Sequence, residues 1–280
     1  MAVVLALSSA VVYGASDFLG GLSSRRASVF GVVALSQIAG LVALLALLPW
    51  LGGPVSLADL GWGAAAGLVG SIGLLVFFRA LSRGVMSVIA PVTAVTAAAV
   101  PVLAGFLDGD RIGPVAGAGI LLALVAVVLV SAEGGLGQLR AARPASLGAP
   151  LAAGVAFGSF FVLLDRTSDD SGLTPLVAAR LASFVLVAVV ALVGKRSLRV
   201  GRRAMPLVLA SGVGDMTANA LFLLATQQEG QLAITGVLAS LYPVSTVVLA
   251  QVLLREHLVR AQIAGLAAAI GAVVLITLPG

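Results

Sequence analysis

Ten apolar runs, each near the length that crosses a bilayer, follow one another along this chain with almost nothing between them. They cover residues 2–22, 29–49, 60–81, 85–107, 112–132, 147–165, 174–194, 204–227, 231–254 and 259–279. A spanning α-helix needs about 20 mainly apolar residues. The breaks are short and polar, such as SSRRAS, DGDR and RTSDDSG. None is long enough for a soluble domain, so any function has to reside in the helical bundle. The expected fold class is all-α and integral to the membrane, with ten transmembrane helices.

Composition bounds the chemistry. Of the 280 residues, 60% are hydrophobic and only 10% charged, where a soluble domain carries roughly 25% charged residues to face water. The surface therefore faces lipid, and the expected location is the cell membrane, multi-pass. With no cysteine and His257 as the only histidine, thiolate and multi-histidine metal sites are excluded, and no cofactor is expected. The net charge of +5 does not point to nucleic acid, because the basic residues lie between apolar spans and not on one soluble face. The first run has no basic residue ahead of it, contains Asp17 and leads straight into another span, so it reads as a transmembrane helix and not a removable signal peptide.

Ten spans put both termini on one side. All but three of the 16 basic residues, the exceptions being Arg111, Arg166 and Arg180, fall in or beside the odd-numbered connections. The positive-inside rule then places those connections in the cytoplasm and the termini outside. On the third span Gly63, Gly67, Gly70 and Gly73 recur at three- and four-residue spacing, a pattern that lets helix backbones approach closely in lipid.

The two halves of the chain resemble each other. At an offset of 146, Gly84 meets Gly230, Leu107 meets Leu253, Asp110 meets Glu256 and Gly119 meets Gly265. Earlier, VVYGASDF resembles GVAFGSFF, and VALSQIAGL resembles LVAARLASF, which sets Gln37 against Arg180. The expected organisation is a first five-helix repeat over 1–135, a connecting loop over 136–146 and a second repeat over 147–280. Five helices per copy is an odd number, so the second copy is inverted in the membrane. Inverted repeats recur in secondary transporters, where a midplane site between the halves is exposed alternately to each side.

At this point the chain resembles the EamA-type members of the drug/metabolite transporter superfamily. YGASDF late in the first helix and LYPVSTVVLAQVLLREHL in the ninth carry the likeness. The second segment is similar to the family's L-E-P-V…L-G-E-R-L signature at Leu241, Tyr242, Pro243, Val244, Arg255 and Glu256. The first-half segment VTAAAVPVLAGFLDGDRI keeps an acidic end at Asp110-Arg111 without the proline at that position. Tyr242 stands where the family often has Glu, so that carboxylate's role does not transfer. The family is usually drawn with cytoplasmic termini, against the charge distribution above. The resemblance implies export of amino acids or related metabolites, with drug-like cations as the alternative.

A charge in the hydrocarbon core costs about 2.5–3.5 kcal/mol on insertion scales, so each one needs an account. Asp17, Arg79, Arg180 and Asp215 lie within spans. Asp215 and Arg180, both near mid-span, are expected either to form a structural ion pair or to line a central cavity. There the guanidinium would hold a substrate carboxylate, and Asp215 or Asp17 would take an ammonium or a coupling proton. A resting pair that opens for substrate satisfies both readings. Asp17 is about 7 Å from the midpoint of its helix at 1.5 Å per residue, where Arg25 or Arg26 could reach it instead. Asn219, one turn beyond Asp215 on the same face, and Gln37, the repeat equivalent of Arg180, are further binding candidates. Tyr242-Pro243 is expected to interrupt the ninth helix, with Pro91 and Pro101 playing that part in the fourth. Arg79 is close enough to an interface to snorkel, and the charges at 110–111 and 255–257 read as solvated caps, with a gating salt bridge as the alternative.

Gly212-Val213-Gly214-Asp215 also spells GxGD, a pattern of intramembrane aspartyl proteases. Such an enzyme needs a second carboxylate sharing a proton with the first. Its Tyr-Asp and Pro-Ala-Leu partner motifs are absent, as are HExxH, GxSxG and Walker loops. The sequence therefore favours a secondary transporter of small organic solutes over an enzyme. Protons are the candidate coupling ion, and the assembly is expected to be a monomer or a homodimer.

Overall fold

A computed structural model describes residues 1–24, 27–81, 86–131, 147–228, 231–255 and 257–278. Those residues form helices α1 (Ala2–Ser24), α2 (Val29–Leu51), α3 (Leu57–Leu81), α4 (Met86–Asp108), α5 (Pro114–Ser131), α6 (Gly148–Asp165), α7 (Thr174–Val193), α8 (Met205–Thr226), α9 (Leu232–Ala239), α10 (Tyr242–Leu254) and α11 (Arg260–Thr277). Among the described residues ten segments are long and apolar enough to cross a membrane, with α9 and α10 together making the ninth, Leu232–Leu254. Arg25, Arg26, Glu256 and the expected connecting loop at 136–146 lie outside the described residues, as do Gly84 and Gly230 of the repeat alignment.

Many alanines lie inside the bundle while large aliphatic side chains face outward. Ala6, Ala66, Ala123, Ala126 and Ala153 are fully buried, whereas Val42, Leu121, Leu192 and Val193 are exposed. Lipid is as apolar as leucine, so burying leucine between helices gains little, and close backbone contact holds the bundle instead. The glycines of α3 illustrate this. A Cβ on Gly63 would lie 2.1 Å from the Pro175 carbonyl oxygen, and one on Gly67 2.1 Å from that of Ala179, so only glycine allows α3 to meet α7 there. Ser183 then donates its hydroxyl to the Gly67 carbonyl at 2.9 Å.

The halves are related by a two-fold axis that can be read from one helix pair. Gly119 of α5 abuts Ile276 of α11, and Gly265 of α11 abuts Val130 of α5. Gly119 and Gly265 differ by 146 positions, as do Val130 and Ile276. Exchanging the halves thus maps the interface onto itself, as in an isologous contact. The low-numbered end of α5 meets the high-numbered end of α11, so the pair is antiparallel. The axis relating such a pair runs perpendicular to the helices, in the plane of the membrane. The repeats are inverted. Other neighbours obey the same exchange: α1 packs on α8 as α6 packs on α3, and α2 on α8 as α7 on α3.

On the face formed by the even-numbered connections, the two halves are tied by polar contacts. Gly53 N–H donates to the Ser171 carbonyl at 3.1 Å, and Leu173 N–H to that of Leu51 at 2.9 Å. Ser168 donates its backbone N–H and its hydroxyl to the buried Asp59 carboxylate, at 2.8 and 3.0 Å. Arg166 pairs with Asp108 at 2.6 Å, and Asp110 accepts from Ala233 N–H at 3.0 Å, capping α9. On the odd-numbered face a crevice of about 180 Å³ opens beside α10, lined by Thr246, Gln251, His257 and Gln262.

The two prolines of α4 require a correction, because α4 runs unbroken through both Pro91 and Pro101. A spanning helix tolerates proline where its neighbours accommodate the ring and the freed carbonyl. Pro101 lies against Gly236 of α9, where a Cβ would sit 2.5 Å from the ring, and the Ala97 carbonyl left without its N–H donor faces Gly158 of α6. In the ninth span the chain turns at Ser240 and Leu241, and Pro243 sits in the first turn of α10, where its missing N–H is an orphan in any helix.

Candidate functional site

Three helices converge on the Arg180 side chain because two glycines let them. A Cβ on Gly40 of α2 would lie 2.8 Å from the Gly212 carbonyl oxygen and 3.5 Å from Arg180 Cζ, and one on Gly212 of α8 would lie 2.2 Å from the Ser36 carbonyl oxygen. The glycines of the GxGD segment are therefore packing elements, with Gly214 set against Ser16 of α1. In the space they leave, Arg180 of α7 is 7% exposed. Its Nη2 donates to Asp215 Oδ2 in an ion pair, its Nη1 to Gln37 Oε1, and its Nε approaches Met216 Sδ at 3.2 Å.

The Arg180–Gln37 contact locates the cluster. Gly67 abuts the Ala179 carbonyl as Gly212 abuts that of Ser36, so on these helices Gln37 and the residue after Ala179, Arg180, are each other's equivalents in the two repeats. A residue in contact with its own repeat equivalent straddles the symmetry axis, and that axis lies in the membrane plane. The guanidinium is thus at mid-depth, between the halves.

Asn219 stands on the same face of α8 as Asp215. Its Nδ2 donates to the Asp215 backbone carbonyl at 2.7 Å and approaches Asp215 Oδ2 at 3.4 Å. Two acceptors on that side fix the amide orientation, since the reverse flip would set oxygen against carboxylate. Asn219 Oδ1 then points elsewhere, and it is buried without a hydrogen-bond partner.

Asp17 of α1 is brought alongside by a reciprocal pair of hydroxyl bonds. Ser16 donates to the Ser211 carbonyl at 2.5 Å, and Ser211 to that of Ser16 at 2.9 Å. The Asp17 carboxylate lies within electrostatic range of Asp215. Asp17 is desolvated by its surroundings yet keeps accessible surface of its own. Among the described residues Asp17 takes part in no salt bridge. Counted as ionised, Asp17, Asp215 and Arg180 leave one acid in surplus.

Tyr242, the first residue of α10, turns its ring toward Tyr13 of α1 with centroids 6.4 Å apart. Tyr13 meets Phe161 of α6 edge-on at 6.2 Å, and Phe161 packs on Phe222 of α8 at 4.5 Å. These rings form an aromatic wall beside the charged cluster. Tyr13 escaped the sequence reading, although a signal was present. The chain has only two tyrosines, and both lie mid-span instead of at the membrane interfaces where tyrosine accumulates.

The remaining candidates are elsewhere. Pro91 and Pro101 belong to α4, Pro243 adjoins Tyr242, and Arg79 is exposed near the end of α3. Asp110 is a helix cap, and His257 lines the odd-face crevice.

Comparison with known proteins agrees with this architecture. The model of the EamA-like transporter family matches twice, over residues 1–132 and 145–278. No curated protein matches the sequence. A crystal structure of another protein superposes with a TM-score of 0.80 over 99% of this chain and 96% of that one, at 20% sequence identity, a likeness of fold.

Proposed function

This chain belongs to the EamA-like transporter family, and from that premise we propose that it is a secondary active transporter of small organic solutes, amino acids or related metabolites. The proposed direction is efflux by alternating access, with protons as the coupling ion. One observation carries the reading: a buried guanidinium, held by Asp215 and Gln37, straddles the axis between the inverted halves. An incoming carboxylate can replace Asp215 as the bidentate partner of Arg180. Asp215, released, or Asp17 then takes the solute's ammonium group or a proton. The exchange keeps the guanidinium paired throughout, which a low-dielectric site demands.

A multidrug or cationic exporter is the second reading, and the surplus carboxylate of Asp17 beside an aromatic wall favours it. The proteolytic reading of GxGD has less support. Asp215 is engaged by a guanidinium, whereas an aspartyl dyad needs its carboxylate free to share a proton with a second acid.

The test is solute flux in proteoliposomes, measured inward and outward for a panel of amino acids and organic cations, with and without a pH gradient. Gradient-dependent movement of amino acids is expected. Movement of cations alone would shift the assignment to the second reading. Cleavage of membrane peptides without any flux would overturn both.

A further inference from the structure

Two buried polar atoms of the described residues lack a hydrogen-bond partner, the Tyr13 hydroxyl and Asn219 Oδ1. Tyr13 is 9% exposed and Asn219 5%. Buried polar groups are normally satisfied, so each such orphan calls for a specific account. Here they occupy one layer of the bundle. Ser9 bonds the Ala218 carbonyl and Ser16 that of Ser211, which fixes the antiparallel register of α1 and α8. Tyr13 lies between those two rungs. Helical side chains lean toward the N-terminus, which carries its hydroxyl toward the level of Ser9, and hence of Ala218 and Asn219. Phe161 closes the layer, touching Tyr13 on one side and Phe222, one turn beyond Asn219, on the other.

We propose that Tyr13 and Asn219 form a neutral hydrogen-bonding subsite beside the Arg180–Asp215 pair, which takes an uncharged hydroxyl or amide group of the transported solute. The inference rests on the transport reading above and adds a specificity to it. The chemistry of the two atoms selects the group. Asn219 Oδ1 can only accept, because its Nδ2 is committed to Asp215. The Tyr13 hydroxyl can donate. A solute hydroxyl or primary amide donates to the first and accepts from the second. An alkyl group would leave both unpaired, a carboxylate would face Oδ1 oxygen to oxygen, and an ammonium has nothing to accept the phenolic proton. Sites built to pair a substrate hydroxyl discriminate strongly against its alkyl analogue for this reason.

Matched probes test it: L-threonine against L-valine, and ethanolamine against n-propylamine, as competitors of flux in proteoliposomes. Wild type is expected to favour the hydroxylated member of a recognised pair by about tenfold, the scale of one hydrogen bond. Tyr13→Phe is expected to bring the ratio to within about threefold. A ratio unchanged by Tyr13→Phe, or a wild-type preference for the alkyl members, overturns the subsite. A second measurement needs no solute. Tyr13→Phe keeps the ring and deletes only the hydroxyl, so the Tm of the purified, ligand-free protein should equal or exceed that of wild type. A Tm lowered by several degrees means a protein or water partner already satisfies the hydroxyl, and the subsite falls whatever the flux. If none of the four probes competes while Tm is maintained, the solute class proposed above is wrong, and the maintained Tm still supports the subsite.

Discussion

Two arginine–aspartate pairs stand among the described residues, one joining the halves and one within the second repeat, and their surroundings separate them. Arg166 and Asp108 meet at 2.6 Å with side chains 42% and 37% exposed, at the rim of the even-numbered face. Arg180 and Asp215 meet at mid-depth with side chains 8% and 35% exposed, and Gln37 and Met216 complete the arginine's shell. At the rim water competes for both ions, and an exposed pair contributes about 0–1 kcal/mol. At mid-depth Asp215 pairs with no other cation among the described residues, so losing Arg180 strands its carboxylate. The same two side chains therefore make a fastening in one place and, on the proposed reading, a binding element in the other.

Breaking the deep pair from the basic side has the largest expected effect. Arg180→Gln leaves Asp215 without its cation and should abolish flux. It should also lower stability by about 2–3 kcal/mol, less than for a fully buried pair because Asp215 keeps part of its surface exposed. Adding Asp215→Asn should recover most of that stability without recovering flux. A single variant as stable as wild type would remove the contrast. Next in size, Asp215→Asn alone should reduce flux at least tenfold, while Tm stays within a few degrees because Gln37 and Met216 still hold the guanidinium. Normal flux in Asp215→Asn would reduce the deep pair to a fastening like the other.

Asp59 supplies the intermediate case, a buried carboxylate held by serine donors in place of a cation. Asp59→Asn weakens those bonds and should cost about 1–2 kcal/mol in denaturation, with flux within about threefold of wild type. Smallest of all, Arg166→Gln should change stability by less than about 1 kcal/mol and flux by less than twofold. High salt should shrink even that difference. A large loss of flux from Arg166→Gln would mean that the rim pair, too, belongs to the working machinery.

The deep cluster was partly legible because charge in lipid is so costly that every ion within a span demands a partner. That demand alone joined Asp215 to Arg180, and the repeat alignment brought Gln37 to the same place. Tyr13 was not legible: a tyrosine in a span passes as an apolar ring, and a missing hydrogen bond is a property of three dimensions. The prolines were ambiguous for a related reason. Pro91, Pro101 and Pro243 carry the same local message, yet α4 continues while the ninth span turns just ahead of Pro243. What decides is the neighbour, such as Gly236 making room for the Pro101 ring.

The ninth span is itself divided. Every residue of α9 except Ile234 is buried, while α10 buries none. Its counterpart in the other repeat, α4, is one continuous rod. An object with a perfect two-fold axis in the membrane plane cannot distinguish its two sides, and whatever it closes above it must close below. Handedness between the faces can come only from the repeats being unlike. The turn at Ser240 and Leu241 is such an unlikeness, placed near the middle of its span. On the proposed transport reading, transposing the two shapes, so that α4 bends and the ninth span straightens, would yield the same molecule facing the opposite way.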